Sequence, residues 1–358
     1  MANFTPTNLL SAIAKVSEKY LKGEWRMPNT AALSTVYLGE KTMPSLADLR
    51  TREDRATYYD FPIRKSAGSA TERLYNHTGS RTDSLRTQLT WKTVVDTFSI
   101  SEKQLDNNSY SFDEAFAYGL KSCVYNNLVS ADDWYITQLL ANVTQINHGG
   151  IRGTFNATND IMELDPDQVD YWKEQIEANL NNNDFMGENL IIADSLAFMD
   201  MIRSLNQGAQ NATNLAWQYG SGYLTKTSKS LYSAYNGSAI AMPVDMAGLF
   251  FWIPKQNRKP LDEEKALSYN GDKGTIQVPV VDDKGNVVYN IDAAIHMYAQ
   301  RADTYTSSEN GSKQDLEIEV EVSWDMGFMA APLSSFRATG DWAGKTDSVI
   351  YSFGLKTA

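Results

Sequence analysis

The sequence predicts a mixed α+β fold, and three stretches carry that prediction. From Ser111 onward, apolar residues recur at helical spacing for about 30 residues. LTWKTVVDTFSIS (89–101) is rich in Thr, Val, Phe and Ile and reads as a long strand. In DLEIEVEVSW (315–324), Leu316, Ile318, Val320, Val322 and Trp324 alternate with Glu317, Glu319, Glu321 and Ser323, the period of a half-buried strand.

The long helix opens on Ser-Phe-Asp-Glu, a capping box in which Ser111 and Glu114 satisfy each other's backbone amides. At ~1.5 Å per residue it would run roughly 45 Å, long enough to act as a structural spine. Asp165-Pro166 predicts a second helix with Val169, Trp172, Ile176 and Leu180 on one face, ending at Asn181-Asn182-Asn183. NLIIA (189–193) follows as a buried strand, then a short helix over 194–205. Further strands are expected at 248–254 and around 295–301. Near the start, Leu9, Leu10, Ile13, Val16 and Tyr20 give a short helical pattern, and the stretch up to residue 50 then shows little periodicity. No repeat of fixed period is present.

Charge is unevenly distributed. The chain of 358 residues carries a formal −12, which argues against sequence-specific nucleic-acid binding. Residues 50–92 nevertheless hold nine Lys or Arg against five Asp or Glu. Their centre, RKSAGSATERLYNHTGSRTD, has turn chemistry and few positions suited to burial, so a projecting hairpin is expected there. By contrast, 160–200 holds eleven acidic residues and one Lys, and 261–325 holds fourteen acidic and five basic residues. A basic loop lying over an acidic neighbour fits that partition, as do separately solvated faces.

Cys123 is the single cysteine, which excludes an internal disulfide and a cysteine-based zinc cage. The N-terminal segment lacks the basic-then-apolar pattern of a signal peptide, and no run of 18 apolar residues occurs, so synthesis in the cytoplasm is expected. The eight N-x-S/T triplets are what a chain rich in Asn, Ser and Thr produces by chance.

Motifs for chemistry fail on inspection. GDWAGKT (340–346) has three residues between its glycines where a phosphate-binding loop needs four. The glycines of HGGIRG (148–153) do not match a dinucleotide fingerprint, and 282–286 and 181–187 lack the alternating oxygen ligands of a calcium loop. His77, His148 and His296 stand far apart, without metal-ligand spacing. No G-x-S-x-G elbow marks a nucleophile. The row Glu317, Glu319, Glu321 could face a metal, but its ordinary meaning is one solvated or interfacial strand face. The expectation is a protein without catalytic, cofactor or metal site.

The order of these parts, above all VVDTFSISEKQLDNN leading into the long helix, and NLIIADSLAFMDMIRSL, resembles the major capsid protein family of tailed bacteriophages. That fold recurs in encapsulin nanocompartments and herpesvirus capsids. The resemblance covers about 50–335 and lies in layout, since the family has no short invariant motif. It implies an N-terminal arm (1–55), an extended loop and strand (56–100), and a peripheral domain holding the spine helix (101–150). An axial domain (151–300) and return strands of the peripheral domain with the C-terminus (301–358) complete the layout. It implies a coat protein that self-assembles through pentamers and hexamers into an icosahedral shell around double-stranded DNA, in the virion capsid, after assembly in the bacterial cytoplasm. Portal, scaffold and decoration proteins would be further partners, and the packaged genome would be held without sequence-specific contact; no membrane is involved. Arg73, Arg81 and Arg86 on the loop, and Glu317, Glu319 and Glu321 on the strand, are the candidate contacts between subunits. An encapsulin-like shell, or a cytoplasmic α+β binding protein or hydrolase, are the alternatives.

Overall fold

The computed structural model describes residues 11–12, 28, 30–42, 44–64, 83–101, 111–143, 153–182, 185, 187–207, 222–244, 246–281, 287–307, 311–332 and 349–357. Arg73, Arg81, His77, His148, the 282–286 loop, the GDWAGKT segment and most of the early helical pattern lie outside them. The architecture is α+β: a two-stranded hairpin, a five-stranded sheet and a six-stranded sheet, with helices packed against them.

Helix α1 (Ala31–Thr42) and helix α2 (Pro44–Thr51) precede the first strands. Strand β1 (Tyr58–Ile63) pairs antiparallel with β2 (Asp83–Gln88), and β2 runs through Leu89 into β3 (Thr90–Ser101). The expected hairpin is therefore an extension of the strand that follows it.

Helix α3 spans Phe112–Ala141, 30 residues, and its start has the predicted reciprocal cap. The Glu114 amide donates to Ser111 Oγ at 3.3 Å, and the Ser111 amide donates to the Glu114 carboxylate at 3.0 Å. Phe116, Val124, Leu128, Ala131, Ile136 and Leu139 on its inner face are fully buried. The approach to β3 is close: a Cβ at Gly119 would collide with the Phe98 ring, so only glycine fits there.

The five-stranded sheet also contains β9 (Ala247–Trp252), β10 (Asp272–Val281), β11 (Val287–Ser307) and β12 (Gly311–Ala330). Its order is β10-β11-β12-β3, and β9 pairs with the far end of β12. Along one edge of β12, β11 pairs as far as Ser323 and β9 takes over from Asp325, while β3 pairs along the other edge. The predicted alternation holds: Ile318, Val320, Val322 and Trp324 are buried, and Glu317, Glu319 and Glu321 are half-buried on the opposite face. Asn127 of α3 donates to the Val322 carbonyl at 2.9 Å, tying the helix to the central strand.

The six-stranded sheet is built from β4 (Thr154–Asn156), β5 (Ile161–Leu164), β6 (Asn189–Ala193), β7 (Gly222–Lys226), β8 (Ser238–Pro243) and β13 (Tyr351–Leu355). In order it reads β4-β5-β13-β8-β6-β7, with β5/β13 and β6/β7 parallel and the other pairs antiparallel. Helix α4 (Trp172–Asn182), entered through a 3-10 turn at Pro166–Tyr171, buries Trp172, Ile176 and Leu180 as the spacing predicts. Helix α5 (Ser195–Gln207) is capped by Asp194, which accepts the Leu196 and Ala197 amides through one oxygen and the Ser238 amide and hydroxyl through the other. A short helix α6 (Glu263–Ala266) precedes β10.

The expected boundaries at 151–300 and 301–358 do not follow the sheets. Strands β9, β10 and β11 belong with β3 and β12, whereas β13 lies in the middle of the six-stranded sheet. The reason is pairing: β12 recruits β9 after β11 ends, and the 351–355 segment fills the space between β5 and β8.

Candidate assembly surfaces

The hairpin buries little. On β1 only Phe61 is buried, and β2 is exposed at every position except half-buried Thr87. Arg86 faces Asp60 directly across the ladder and donates to both carboxylate oxygens, at 2.9 and 3.2 Å. That pairing lowers the Asp60 pKa and raises that of Arg86, in each case chiefly through the shared hydrogen bond. The guanidinium also lies 5.9 Å from the centre of the Tyr58 ring. Arg86 therefore has a partner inside its own hairpin, a role that sequence spacing did not suggest.

The second surface is the open face of the five-stranded sheet. Glu317, Glu319 and Glu321 line up along β12 at about 6.6 Å intervals. Cross-strand register sets Glu319 between Tyr298 and Ser99, and Glu321 between His296 and Thr97. Lys273 of β10 extends the second row beyond His296. Burial, then the three glutamates, raise the Tyr298 hydroxyl pKa. Among the described residues, no group of three His, Cys, Asp or Glu side chains could hold a metal ion. The other end of the same sheet face is covered by the chain leading into the hairpin.

That lead-in is heavily tied down. Arg55 Nε donates to one oxygen of Asp325 at 3.2 Å, and its terminal nitrogen ion-pairs with the other oxygen and donates to Thr93 Oγ1 at 2.9 Å. Its guanidinium carbon sits 5.7 Å from the ring centres of both Trp91 and Trp252. Arg258 collects the carbonyls of Arg50, Thr51 and Arg52 at the end of α2, a positive charge placed where the helix dipole favours it. Beside it lies a cleft of about 420 Å³ whose wall includes Trp252, Arg258, Gln277 and the Arg50–Asp292 ion pair. None of these residues stood out in the sequence; Arg55 and Asp325 are 270 positions apart.

The buried carboxylate of Asp132 is occupied in structural work. Asp132 of α3 accepts the Ala32 amide near the start of α1, and also Thr227 Oγ1 and the Ser228 amide and hydroxyl. It thereby joins α1, α3 and the segment after β7. The Cys123 thiol pKa is pushed up to about 12, first by burial and then by Asp96, which suppresses the nucleophilic thiolate. Among the described residues, no helix is long and apolar enough to cross a membrane.

No family model matches the sequence, and no curated protein matches it. Solved structures match along most of its length. The chain is similar to the capsid of Ralstonia phage GP4 at 9% identity and TM-score 0.45, over 84% of this chain and 83% of that one. It is similar to the capsid of the cyanophage P-SCSP1u at 9% identity and TM-score 0.41, over 86% of each chain. The mature capsid of bacteriophage PhiM1 matches at 10% identity and TM-score 0.36, over 86% of this chain and 84% of that one. At such identities and TM-scores these likenesses carry no argument about function, which rests on the surfaces the chain itself presents.

Proposed function

We propose that this chain is the major capsid subunit of a tailed bacteriophage, a structural protein that closes into a shell and performs no chemistry. One observation carries the reading: a hairpin with almost no burial of its own extends from the edge of a sheet backed by a 30-residue helix. A two-stranded ribbon standing alone is marginal in water, so such an element calls for a surface outside its own subunit. A closed shell supplies one, because each subunit presents different faces to different neighbours.

In this reading 1–55 is the arm, 56–100 the extended loop and α3 the spine of the peripheral domain. The six-stranded sheet forms the core of the axial domain. The basic loop, with Arg73, Arg81 and Arg86, lies over the Glu317, Glu319, Glu321 face of a neighbour. Portal, scaffold and decoration proteins are further partners, and packaged DNA is enclosed without sequence-specific contact. The shell forms in the bacterial cytoplasm and becomes the virion capsid.

The test is to purify the overexpressed chain, alone and with the products of adjacent reading frames, and measure its mass. Pentamers, hexamers or megadalton shells visible by electron microscopy are the expected result. A monomer that stays monomeric at high concentration in both preparations overturns the proposal. Double-stranded DNA inside particles from infected cells separates a phage shell from a cargo compartment.

A further inference from the structure

The hairpin is joined to the body by two legs, and the legs are held differently. The second leg, 89–93, is covalently continuous with β3 and belongs to the five-stranded sheet. The first leg, 55–57, joins no sheet. It is tied to the second leg by the Leu89 amide on the Thr57 carbonyl at 2.9 Å and by Trp91 Nε1 on the Ala56 carbonyl at 2.8 Å. The Leu89 bond sits at the pivot if the hairpin swings about Leu89, whereas the Trp91 bond holds Ala56 to the edge strand β3. The contact that ties this leg to the central strand is Arg55 on Asp325. A ribbon held on one leg can pivot, whereas a ribbon held on two has a defined angle.

The chemistry of the anchor suits that task. Asp325 is 3% exposed and stands where the partner of β12 changes from β11 to β9. Its carboxylate takes the planar fork of Arg55 while Thr93 Oγ1 donates to the same group. Trp91 from β3 and Trp252 from β9 both lie against the guanidinium, so its position is fixed by rings from two strands. Lysine could supply the charge but neither the fork nor the planar contact. Behind it, Trp252 Nε1 and Arg258 hold the Arg52 carbonyl, so Arg55 is the last charged side chain anchored to the sheet before β1 and acts beside the Trp91 bond to Ala56.

We infer that Arg55 is a positioning residue that fixes the angle at which the hairpin leaves the five-stranded sheet, and thereby the curvature at which copies of this chain pack. The second half of that inference rests on the capsid reading; the first half does not. Two full-length variants test it. Arg55→Lys keeps the charge and loses the fork. The double variant Arg55→Leu with Asp325→Asn removes the anchor without leaving a buried carboxylate unpaired.

In the unassembled subunit, the double variant is expected to exchange the ladder amides of Tyr58–Ile63 roughly tenfold faster, with the α3 amides unchanged. Arg55→Lys should show the same change to a smaller degree, and it decides the matter if the double variant does not fold. In assembled material, both variants should give a broadened spread of diameters or open sheets where wild type gives one size. Unchanged hairpin exchange overturns the anchor. Faster exchange with a wild-type diameter overturns the link to curvature. If wild type itself forms no particles, the capsid reading fails, and hairpin exchange alone decides the anchor.

Discussion

The six-stranded sheet hides both faces of its central strands, whereas the five-stranded sheet hides most of one face and leaves half of the other open. Every residue of β6, β8 and β13 is buried. Along β12 and β3, by contrast, burial alternates, and Val95, Thr97 and Ser99 are exposed beside half-buried Glu319 and Glu321. A sheet whose central strands are closed on both faces contributes burial and so stability. A sheet with one open charged face can hold its fold with the buried side while the other side meets a partner.

The comparison breaks most sharply at Phe353. This side chain is fully buried in β13, the strand between β5 and β8. Phe353→Ala should cost about 3–5 kcal/mol, the usual penalty for emptying an aromatic site in a packed core. Glu319→Gln, on the open face, should change stability by less than ~0.5 kcal/mol, as surface substitutions do. Urea midpoints of the two variants measure both. Equal losses would mean that the open face is part of a core and that the contrast between the sheets is false.

The same contrast should invert when assembly is measured in place of folding. Changing Glu317, Glu319 and Glu321 together to Lys should leave the subunit folded by circular dichroism. Each exposed ion pair is worth only ~0–1 kcal/mol, but a shell repeats the contact many times. Particle yield should therefore fall in the triple variant, and added salt should weaken wild-type assembly in the same direction, since screening acts over roughly 10 Å at 0.1 M. Wild-type particle yield from the triple variant at low salt would remove this face from the interface.

These differences also explain what the sequence disclosed. Alternation made β12 legible over 315–324, where one face is buried; it vanished over 325–330, where Asp325, Met326, Gly327, Phe328 and Met329 are all covered. Strands β8 and β13, SAIAMP and YSFGL, are short and buried throughout, so no period distinguishes them from loop or helix. Helix α3 was legible from end to end because its cap is local in sequence and its apolar stripe is long. Helices α1 and α2 went unread because tertiary contacts hold them. Asp132 receives the start of α1, and Arg258 gathers the carbonyls at the end of α2. The anchor of the hairpin was hidden for the same reason: Arg55, Trp91, Trp252 and Asp325 come from four separate stretches, and no local spacing unites them.

The smallest expected effect lies on the open face itself and reads how solvated that face is. His296 sits between Lys273 on β10 and Glu321 on β12, with the Tyr298 ring centre 5.3 Å from its own. Its pKa is lowered from the ordinary 6.5, first by burial and then by Lys273, while Glu321 and Asp272 pull the other way. A lowered histidine pKa means that the unfolded chain binds the proton more readily than the folded one. The contribution to stability is therefore fully present above pH ~6.5 and is lost as pH falls from there through the folded value. A proton NMR titration should place the His296 midpoint below 6.5. Lys273→Ala should move it up by removing a like charge, and Glu321→Gln should move it down by removing an opposite one. Both shifts should shrink in high salt if water screens the face. A midpoint insensitive to both substitutions would mean that burial alone sets it, and that the row Lys273, His296, Glu321 does not act as one charged surface.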